Sequence, residues 1–382
     1  MIVGVLGGGQ LGRMLALAGY PLGLRFRFLE SSSEAPTGVL AELIQGAYDD
    51  RATLARFADG LDLVTYEFEN VPVDAARFLA ERVPVFPPPE ALLVSQDRLS
   101  EKTLFQRLGI PTPPFLAVST ESDLRPALEQ IGYPAVLKTR RLGYDGKGQL
   151  VLRQPADADW AWRVLGEVPL LLEGFVPFER EVSVLTVRAR DRRTAFYPLV
   201  ENHHREGMLR LSRAPAPGLT PDLQALAEGH GARVAEALGY VGVLAIEFFQ
   251  HEGRLLANEM APRVHNSGHW SIEGAETSQF ENHLRAVLGL PLGSTGAIGH
   301  SAMLNLIGRV PPLAAILAVP AAHLHLYGKA ARPGRKLGHV TLWTPDPAIL
   351  EAGLEQLAQL VMTELCGTPA GDKILLPSKS TG

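Results

Sequence analysis

Apolar residues fall into two periods along the chain, and the changes between them mark its organisation. Residues 2–6 form a continuous apolar run, followed by a turn carrying Gly7, Gly8 and Gly9. Leu11, Met14, Leu15 and Ala18 then recur at helical spacing, so a strand passes through a glycine turn into a helix. Further apolar runs at 24–29 and 61–66 predict two more strands, and residues 1–90 read as β-α-β-α-β. Such alternation implies a parallel sheet with helices on its faces. The segment 83–89, Val-Pro-Val-Phe-Pro-Pro-Pro, can sustain neither helix nor central strand and is expected to close this unit.

A second unit, 91–290, has α+β character. Apolar runs at 135–138, 170–173, 181–187, 241–249 and 255–260 predict strands. One long helix is bracketed by Thr220 as N-cap, Pro221 at the first helical position and Gly239 at the end. Another carries Phe280, Leu284, Val287 and Leu288 on one stripe. The remainder, 291–382, reads as a small mixed module ending in a helix that aligns Leu350, Leu354 and Leu357. Residues 377–382 are expected to fray.

The 382 residues suit two or three domains, and an apolar fraction of 46% allows a substantial core. A net charge of −5 argues against a general field for nucleic acid or an anionic membrane, while leaving room for a local anion pocket. No apolar stretch is long enough to span a bilayer, and glycines interrupt the first apolar run, so a cytoplasmic protein is expected. The single cysteine, Cys366, excludes an internal disulfide and reads as a small buried apolar residue.

Gly7, Gly9 and Gly12 lie between a strand and a helix, and Glu30 closes the second strand. That spacing satisfies the dinucleotide fingerprint and, taken alone, suggests a nicotinamide-dependent dehydrogenase. Similar turns also close tight βα junctions without binding a dinucleotide. The middle of the chain is more specific. Lys138 ends a strand and is followed by a loop with Gly143, Gly146 and Gly148, suited to approach phosphates and to move as a lid. Glu247 and Glu259 both stand in apolar strands, where an unpaired acid is costly. If the hairpin pairs Gln250 with Arg254, Ala245 lies opposite Glu259 and Glu247 sits two residues along on the same face. Two such carboxylates would repel without a cation between them, which points to magnesium and a triphosphate. Arg263, His265, Asn266 and His269 then crowd donors beside the pair, and the planar guanidinium of Arg263 suits a carboxylate or bicarbonate. His265 and His269 lack the partners of a zinc motif.

Together these residues resemble the ATP-grasp superfamily and, more closely, the N5-carboxyaminoimidazole ribonucleotide synthetase family. The resemblance runs through Gly7-Gly-Gly-Gln-Leu-Gly-Arg-Met14, Gly143-Tyr-Asp-Gly-Lys-Gly148 and Tyr240-Val-Gly-Val243. It continues through Asn258-Glu-Met-Ala-Pro-Arg-Val-His-Asn-Ser-Gly-His-Trp270 and Arg332-Pro-Gly-Arg-Lys-Leu-Gly-His339. It implies an ATP-grasp fold with a lid at about 112–180, preceded by a Rossmann-like domain and followed by a small C-terminal module. ATP would meet Arg98, Lys138 and the loop residues Gly143, Tyr144, Asp145, Gly146, Lys147, Gly148 and Gln149. The backbone of Glu173, Gly174, Phe175 and Val176 would take the adenine edge, and Glu181 the ribose hydroxyls. His204 and Asn258 would lie near the phosphates, with Glu247 and Glu259 on magnesium, or manganese in its place. Gln10, Leu11, Glu67, His265 and Asn266 would receive the ribonucleotide, and Lys329, Arg332, Arg335 and Lys336 its phosphate. A homodimer is typical of the family. The chain departs from the superfamily at Ala261, where an asparagine is common, although Asn258 could supply an oxygen.

The chemistry implied is attack of bicarbonate on the γ-phosphorus of ATP, then capture of the activated carbon by the ribonucleotide amine. Lys138 would offset phosphoryl charge, Arg263 would hold the carboxylate, and Tyr144 and Asp145 would position the amine or take its proton. The alternatives are a formate-activating transformylase, the dehydrogenase suggested by the N-terminal loop, and a nucleotide sensor without turnover.

Overall fold

The computed structural model describes residues 1–143 and 146–363. Its first strands, β1 (Ile2–Leu6), β2 (Arg25–Glu30), β3 (Glu42–Gln45) and β4 (Leu63–Tyr66), form an all-parallel sheet in the order β3-β2-β1-β4. Helices α1 (Gln10–Gly19), α2 (Arg51–Ala58) and α3 (Val73–Ala80) connect and flank them. The sequence reading lacks β3, a four-residue edge strand whose one buried position, Ile44, leaves no alternation to detect. The proline segment is more ordered than expected. Val85 bridges Val64 in parallel, and Pro89 opens α4 (Pro89–Ser95), where a missing amide proton costs nothing. Helix α5 (Arg98–Arg107) follows, with Asp97 accepting from the amides of Leu99 and Ser100 at its cap.

A separate antiparallel sheet comes next: β5 (Phe115–Val118), β6 (Ala135–Thr139), β7 (Gln149–Leu152) and β8 (Leu170–Gly174), ordered β5-β8-β6-β7. Helices α6 (Glu121–Ile131) and α7 (Ala158–Val164) pack on it through Leu124, Leu128 and Trp162. This is the stretch read as a lid.

The largest sheet holds β9 (Arg180–Arg188), β10 (Thr194–Phe196), β11 (Val200–Arg205), β12 (Met208–Ala214), β13 (Gly242–His251) and β14 (Arg254–Ala261). It continues without a break into β15 (His300–Ile307), β16 (Ala322–Leu326) and β17 (Lys336–Thr344), because β12 pairs with β15. The order is β14-β13-β9-β11-β12-β15-β17-β16, with β10 on β9. The C-terminal strands therefore extend the central sheet instead of forming a sheet of their own. Helices α8 (Pro221–Ala237), α9 (Ser271–Gly274), α10 (Gln279–Leu288), α11 (Leu313–Leu317) and α12 (Pro347–Thr363) complete the described chain. The Thr220 hydroxyl caps α8 at the amide of Leu223 (3.3 Å), and Gly239 beyond its end takes φ +55°.

One core joins the first sheet to the central one, gathering Val3, Leu15 and Phe28 with Val243, Trp270, Phe280 and Leu284. His283 on α10 pins the two together. Its Nδ1 accepts from the Val243 amide (3.1 Å), so its Nε2–H faces Thr65 Oγ1 on β4 at 2.9 Å. This docking brings the glycine turn of β1 beside the end of β14. No helix among the described residues is long and apolar enough to cross a membrane. Cys366 and the segment 377–382 lie outside the described residues.

Candidate active site

A cleft of about 370 Å³ opens where the three sheets meet, and Glu247 and Glu259 lie on its wall. Their hairpin closes one residue tighter than the expected pairing. His251 pairs with Arg254, and the two turn residues Glu252 and Gly253 both take positive φ, as a type I′ turn requires. Continued regularly, that register would set Glu247 opposite Asn258 and turn Glu259 to the other face. A bulge between Glu247 and Phe248 absorbs Asn258 and reverses the alternation of β14. Leu255, Ala257 and Met260 all stay in the core, while Glu259 comes directly opposite Glu247.

The two carboxylates differ in support. Arg98, at the start of α5, donates to Glu259 at 2.9 Å. Burial alone would raise the Glu259 carboxyl, but Arg98, with Lys138 and His204 further off, holds it below the usual range. No such guanidinium is seen on Glu247 among the described residues, and burial together with the charges of Glu259 and Glu181 pushes it up to about 7, against the pull of His204. A facing pair of acids on the cleft wall is a hard-oxygen donor set that fits a divalent cation completed by phosphate oxygens. Asn258 is less available than the sequence implied, because its Oδ1 accepts from Lys138 at 3.3 Å. Ala261 lines the cleft and adds no oxygen. Among the described residues no three His, Cys, Asp or Glu side chains form a metal cluster.

Behind this pair lies a buried charge array in which Lys138 and Glu173, read from the sequence as ATP residues, are joined by Lys102 and Glu101, which it did not name. Glu173 places one oxygen 2.9 Å from Lys138 Nζ and the other 3.4 Å from Lys102 Nζ. Burial opposes the anion, but the two lysines prevail and hold Glu173 at about 2. Lys102, fully buried, is pushed down to about 8 by desolvation despite Glu173, and also donates to the Ala257 carbonyl at 3.0 Å. Glu101 accepts from the Met260 amide at 2.6 Å, fastening α5 to the bulged strand. Arg98, Glu101, Lys102 and Phe105 occupy the i, i+3, i+4, i+7 positions of α5, where an apolar stripe would normally lie.

Lys138 pairs across the lid sheet with Gln149, and Gly143 lines the cleft. A Cβ on Gly146 would come within 2.7 Å of Gly207 Cα, so the loop leans on the β11–β12 turn through a contact only glycine permits. Tyr144 and Asp145 lie outside the described residues. Gly174 and Phe175 donate their amides to the carbonyls of Pro114 and Pro134, so an adenine edge arriving there would not meet those two protons. Glu181 accepts from His204, whose imidazole is raised to about 9: burial disfavours its charge, and Glu181 and Glu247 outweigh burial.

Arg263 does not stand free. Its Nε donates to Glu69, a second missed residue lining the cleft, and one Nη donates to the Val264 carbonyl at 3.0 Å. His265 is clamped at its backbone by Gln279, which accepts from its amide (2.9 Å) and donates to its carbonyl (2.6 Å). Asn266 exchanges two hydrogen bonds with Asn305. His265 is depressed to about 3 by burial and by Arg263 and Lys336.

The N-terminal loop turns out to be filled from within. Glu67 accepts from the amides of Gly9 and Gly12 (2.7 Å for Gly12), and Glu30 accepts from Gly8 at 3.1 Å. The protons that a pyrophosphate would need are taken by the protein's own carboxylates, which removes the physical basis for the dehydrogenase alternative. Burial raises the Glu67 carboxyl, offset in part by those amides and by Lys329. Gln10, Leu11 and Glu67 line the cleft. Of the late basic run, Lys336 also lines it and Lys329 donates to Gln10, whereas Arg335 donates to the Ala330 carbonyl and Arg332 is exposed.

The chain matches the ribonucleotide synthetase preATP-grasp domain over residues 1–96, the ATP-grasp domain over 103–280 and the phosphoribosylaminoimidazole carboxylase C-terminal domain over 301–353. It is 58% identical to N5-carboxyaminoimidazole ribonucleotide synthase of Pseudomonas aeruginosa, over 94% of this chain and 99% of that protein. The crystal structure of N5-carboxyaminoimidazole ribonucleotide synthetase from Thermus thermophilus superposes with a TM-score of 0.91 at 62% identity, covering 94% of this chain and 98% of that one. The Aspergillus clavatus synthase in complex with ADP and 5-aminoimidazole ribonucleotide superposes with a TM-score of 0.89 at 32% identity, covering 95% and 98%.

Proposed function

Since the chain belongs to the N5-carboxyaminoimidazole ribonucleotide synthase family and is an ATP-grasp ligase that forms a carbon–nitrogen bond, we propose that it carboxylates 5-aminoimidazole ribonucleotide with bicarbonate and ATP. The observation that carries this reading is the rung at which Glu247 and Glu259 face each other beside Arg98 and Lys138. Magnesium held between the two acids would neutralise triphosphate charge, with manganese as the alternative. Lys138 and Arg98 approach the phosphates from the lid sheet and from α5. A bicarbonate oxygen attacks the γ-phosphorus and ADP leaves, giving carboxyphosphate. The ribonucleotide amine then attacks the carbon, the carbon–oxygen bond to phosphate breaks, and the amine loses a proton.

Arg263, oriented by Glu69, is suited to hold the carboxylate, with His265 and Asn266 beside it. Gln10, Leu11 and Glu67 would receive the ribonucleotide, and Lys329 and Lys336 its phosphate, with Arg332 and Arg335 at the rim. The loop 143–148 would close over the cleft and exclude water from the activated carbon. Tyr144 and Asp145 are proposed at the amine on the strength of the family resemblance. A cytoplasmic homodimer fits this role.

ADP release measured with the ribonucleotide and either bicarbonate or formate tests the reading. Turnover stimulated by bicarbonate together with the ribonucleotide is expected. Preference for formate would assign the chain to the transformylase alternative, and nucleotide binding without turnover under either acceptor would make it a sensor.

A further inference from the structure

Beneath the cleft, small polar side chains cross three neighbouring strands in a row. Ser212 on β12 donates to Asn202 Oδ1 on β11 at 2.8 Å, and Asn202 Nδ2 donates to Ser183 Oγ on β9 at 2.9 Å. Ser183 donates to Ser267 Oγ at 2.8 Å, and Ser267 Oγ lies 2.8 Å from His265 Nδ1. Ser183, Ser212 and Ser267 are fully buried, and Asn202 is 4% exposed. Burying such groups in a sheet is costly unless each is hydrogen-bonded.

The directions follow from donor inventory. The Asn202 carbonyl can only accept, so Ser212 gives it a proton; the Asn202 amide can only donate, so Ser183 must accept there. Ser183 then has its own proton for Ser267, which leaves the Ser267 proton available to His265 Nδ1. A second donor converges on the same nitrogen, because the Ser267 backbone amide lies 3.4 Å from Nδ1 and a backbone N–H cannot accept. A nitrogen receiving two donors carries a lone pair. We infer that the row Ser212, Asn202, Ser183 and Ser267 sets the tautomer of His265, leaving the ring neutral with its proton on Nε2. That nitrogen lies 3.4 Å from Glu247 Oε1.

The four residues are positioning residues acting through His265. The ring presents an N–H to Glu247 and to any oxyanion beside it, and it has no lone pair there with which to take a proton from an amine. His265 is therefore a donor in the cleft, and the base for the acceptor amine lies elsewhere. This catalytic meaning rests on the function proposed above; the tautomer itself does not.

Nitrogen-15 spectra of the full-length enzyme, labelled at histidine and free of nucleotide, read the tautomer directly. His265 is identified by the resonance lost in His265→Gln. At neutral pH its Nδ1 should show the shift of an unprotonated nitrogen and its Nε2 that of a protonated one. The reverse assignment, or two protonated nitrogens, overturns the inference. Ser183→Ala should move the Nδ1 resonance although Ser183 reaches the ring only through Ser267, and an unmoved resonance in the folded variant counts against the row. In turnover, His265→Gln, whose amide N–H can stand where Nε2–H stood, should keep at least about tenfold more kcat than His265→Asn, which cannot reach. Equal losses would overturn the donor role. If the expected tautomer is found but the ribonucleotide does not stimulate ATP turnover, the functional reading fails and the tautomer stands.

Discussion

Paired or facing glutamates occur in two regions of this molecule under opposite conditions. In the N-terminal turn, Glu67 is received by the amides of Gly9 and Gly12 and lies near Lys329; every oxygen has a donor at hand. On β13 and β14, Glu247 faces Glu259 across one rung, and Arg98 donates to Glu259. The first arrangement resembles a bound anion and is locally satisfied. The second is left electrostatically incomplete by the protein alone. A fold tolerates such incompleteness where a ligand completes it, so the informative feature is the unmet charge and not the motif that most resembles a binding loop. The glycine spacing at the start of the chain matches a dinucleotide fingerprint closely, yet its donors are already taken.

The sharpest way to break this comparison is Glu247→Gln. If the facing acids form the metal site, kcat should fall about 10³-fold, in the range seen when a preorganised electrostatic group is lost at a reacting centre. The ligand-free protein should at the same time become more stable, by about 1 kcal/mol, because one of two facing like charges is gone. Activity assays and denaturant unfolding on the same sample check both halves. A variant that is inactive and also less stable would indicate that Glu247 serves the fold, as Glu67 does.

Lys102→Met moves in the other direction. It matches the stem of the lysine but removes one of the two cations that hold Glu173, leaving a buried carboxylate half-paired. Loss of about 3–5 kcal/mol of unfolding free energy is expected, the range for breaking one side of a buried ion pair. Glu173 also predicts a pH signature. Its folded pKa of about 2 lies below the ordinary 4.5, so its contribution is fully present above pH 4.5 and is lost as pH falls through about 2. That difference corresponds to about 3 kcal/mol. Glu247 has the opposite sign, since its pKa is raised to about 7. In the metal-free protein its cost should grow as pH rises from 4.5 through 7. Unfolding of Glu247→Gln and the parent across that interval should therefore diverge with increasing pH; parallel curves would remove the case for a strained carboxylate.

How far these regions could be read beforehand differs for a physical reason. Strong periodicity and capping exposed α8, the parallel start and the strands β6, β8, β9, β13 and β14, but not β10 to β12 or β15 to β17, the other strands of the central sheet. The acidic pair was legible as two acids in apolar strands, but its true register was not, because a two-residue turn and the bulge at Asn258 together change which residues face each other. Lys102 was hidden for another reason. It sits on a helix whose buried stripe is charged, and hydrophobic patterning is blind to a core made of paired ions. The signal was present in the spacing of Arg98, Glu101, Lys102 and Phe105, which marks one face of α5. Glu69 offered less, being one of two acids in an alternating stretch, and only its contact with Arg263 distinguishes it. The continuation of the central sheet into the C-terminal strands depends on pairing between residues some 90 apart in sequence, as between Leu211 and Leu304, which local patterns do not encode.

The smallest expected effect tests the satisfied region. Gly9→Ala would place a Cβ 2.4 Å from Glu67 Oε1, closer than any real contact. The carboxylate must shift, and its bonds to the two amides loosen. Overpacking of this kind costs about 1–3 kcal/mol. Because Glu67, Gln10 and Leu11 line the same wall of the cleft, the kinetic consequence should fall on one substrate. The Michaelis constant for the ribonucleotide should rise several-fold while that for ATP, proposed to bind against β14 and the lid, stays nearly constant. Saturation curves for each substrate at fixed excess of the other separate these outcomes. Equal rises would mean that the displaced carboxylate disturbs the whole cleft, and that the plug in the glycine turn supports the acidic pair as well as its own loop.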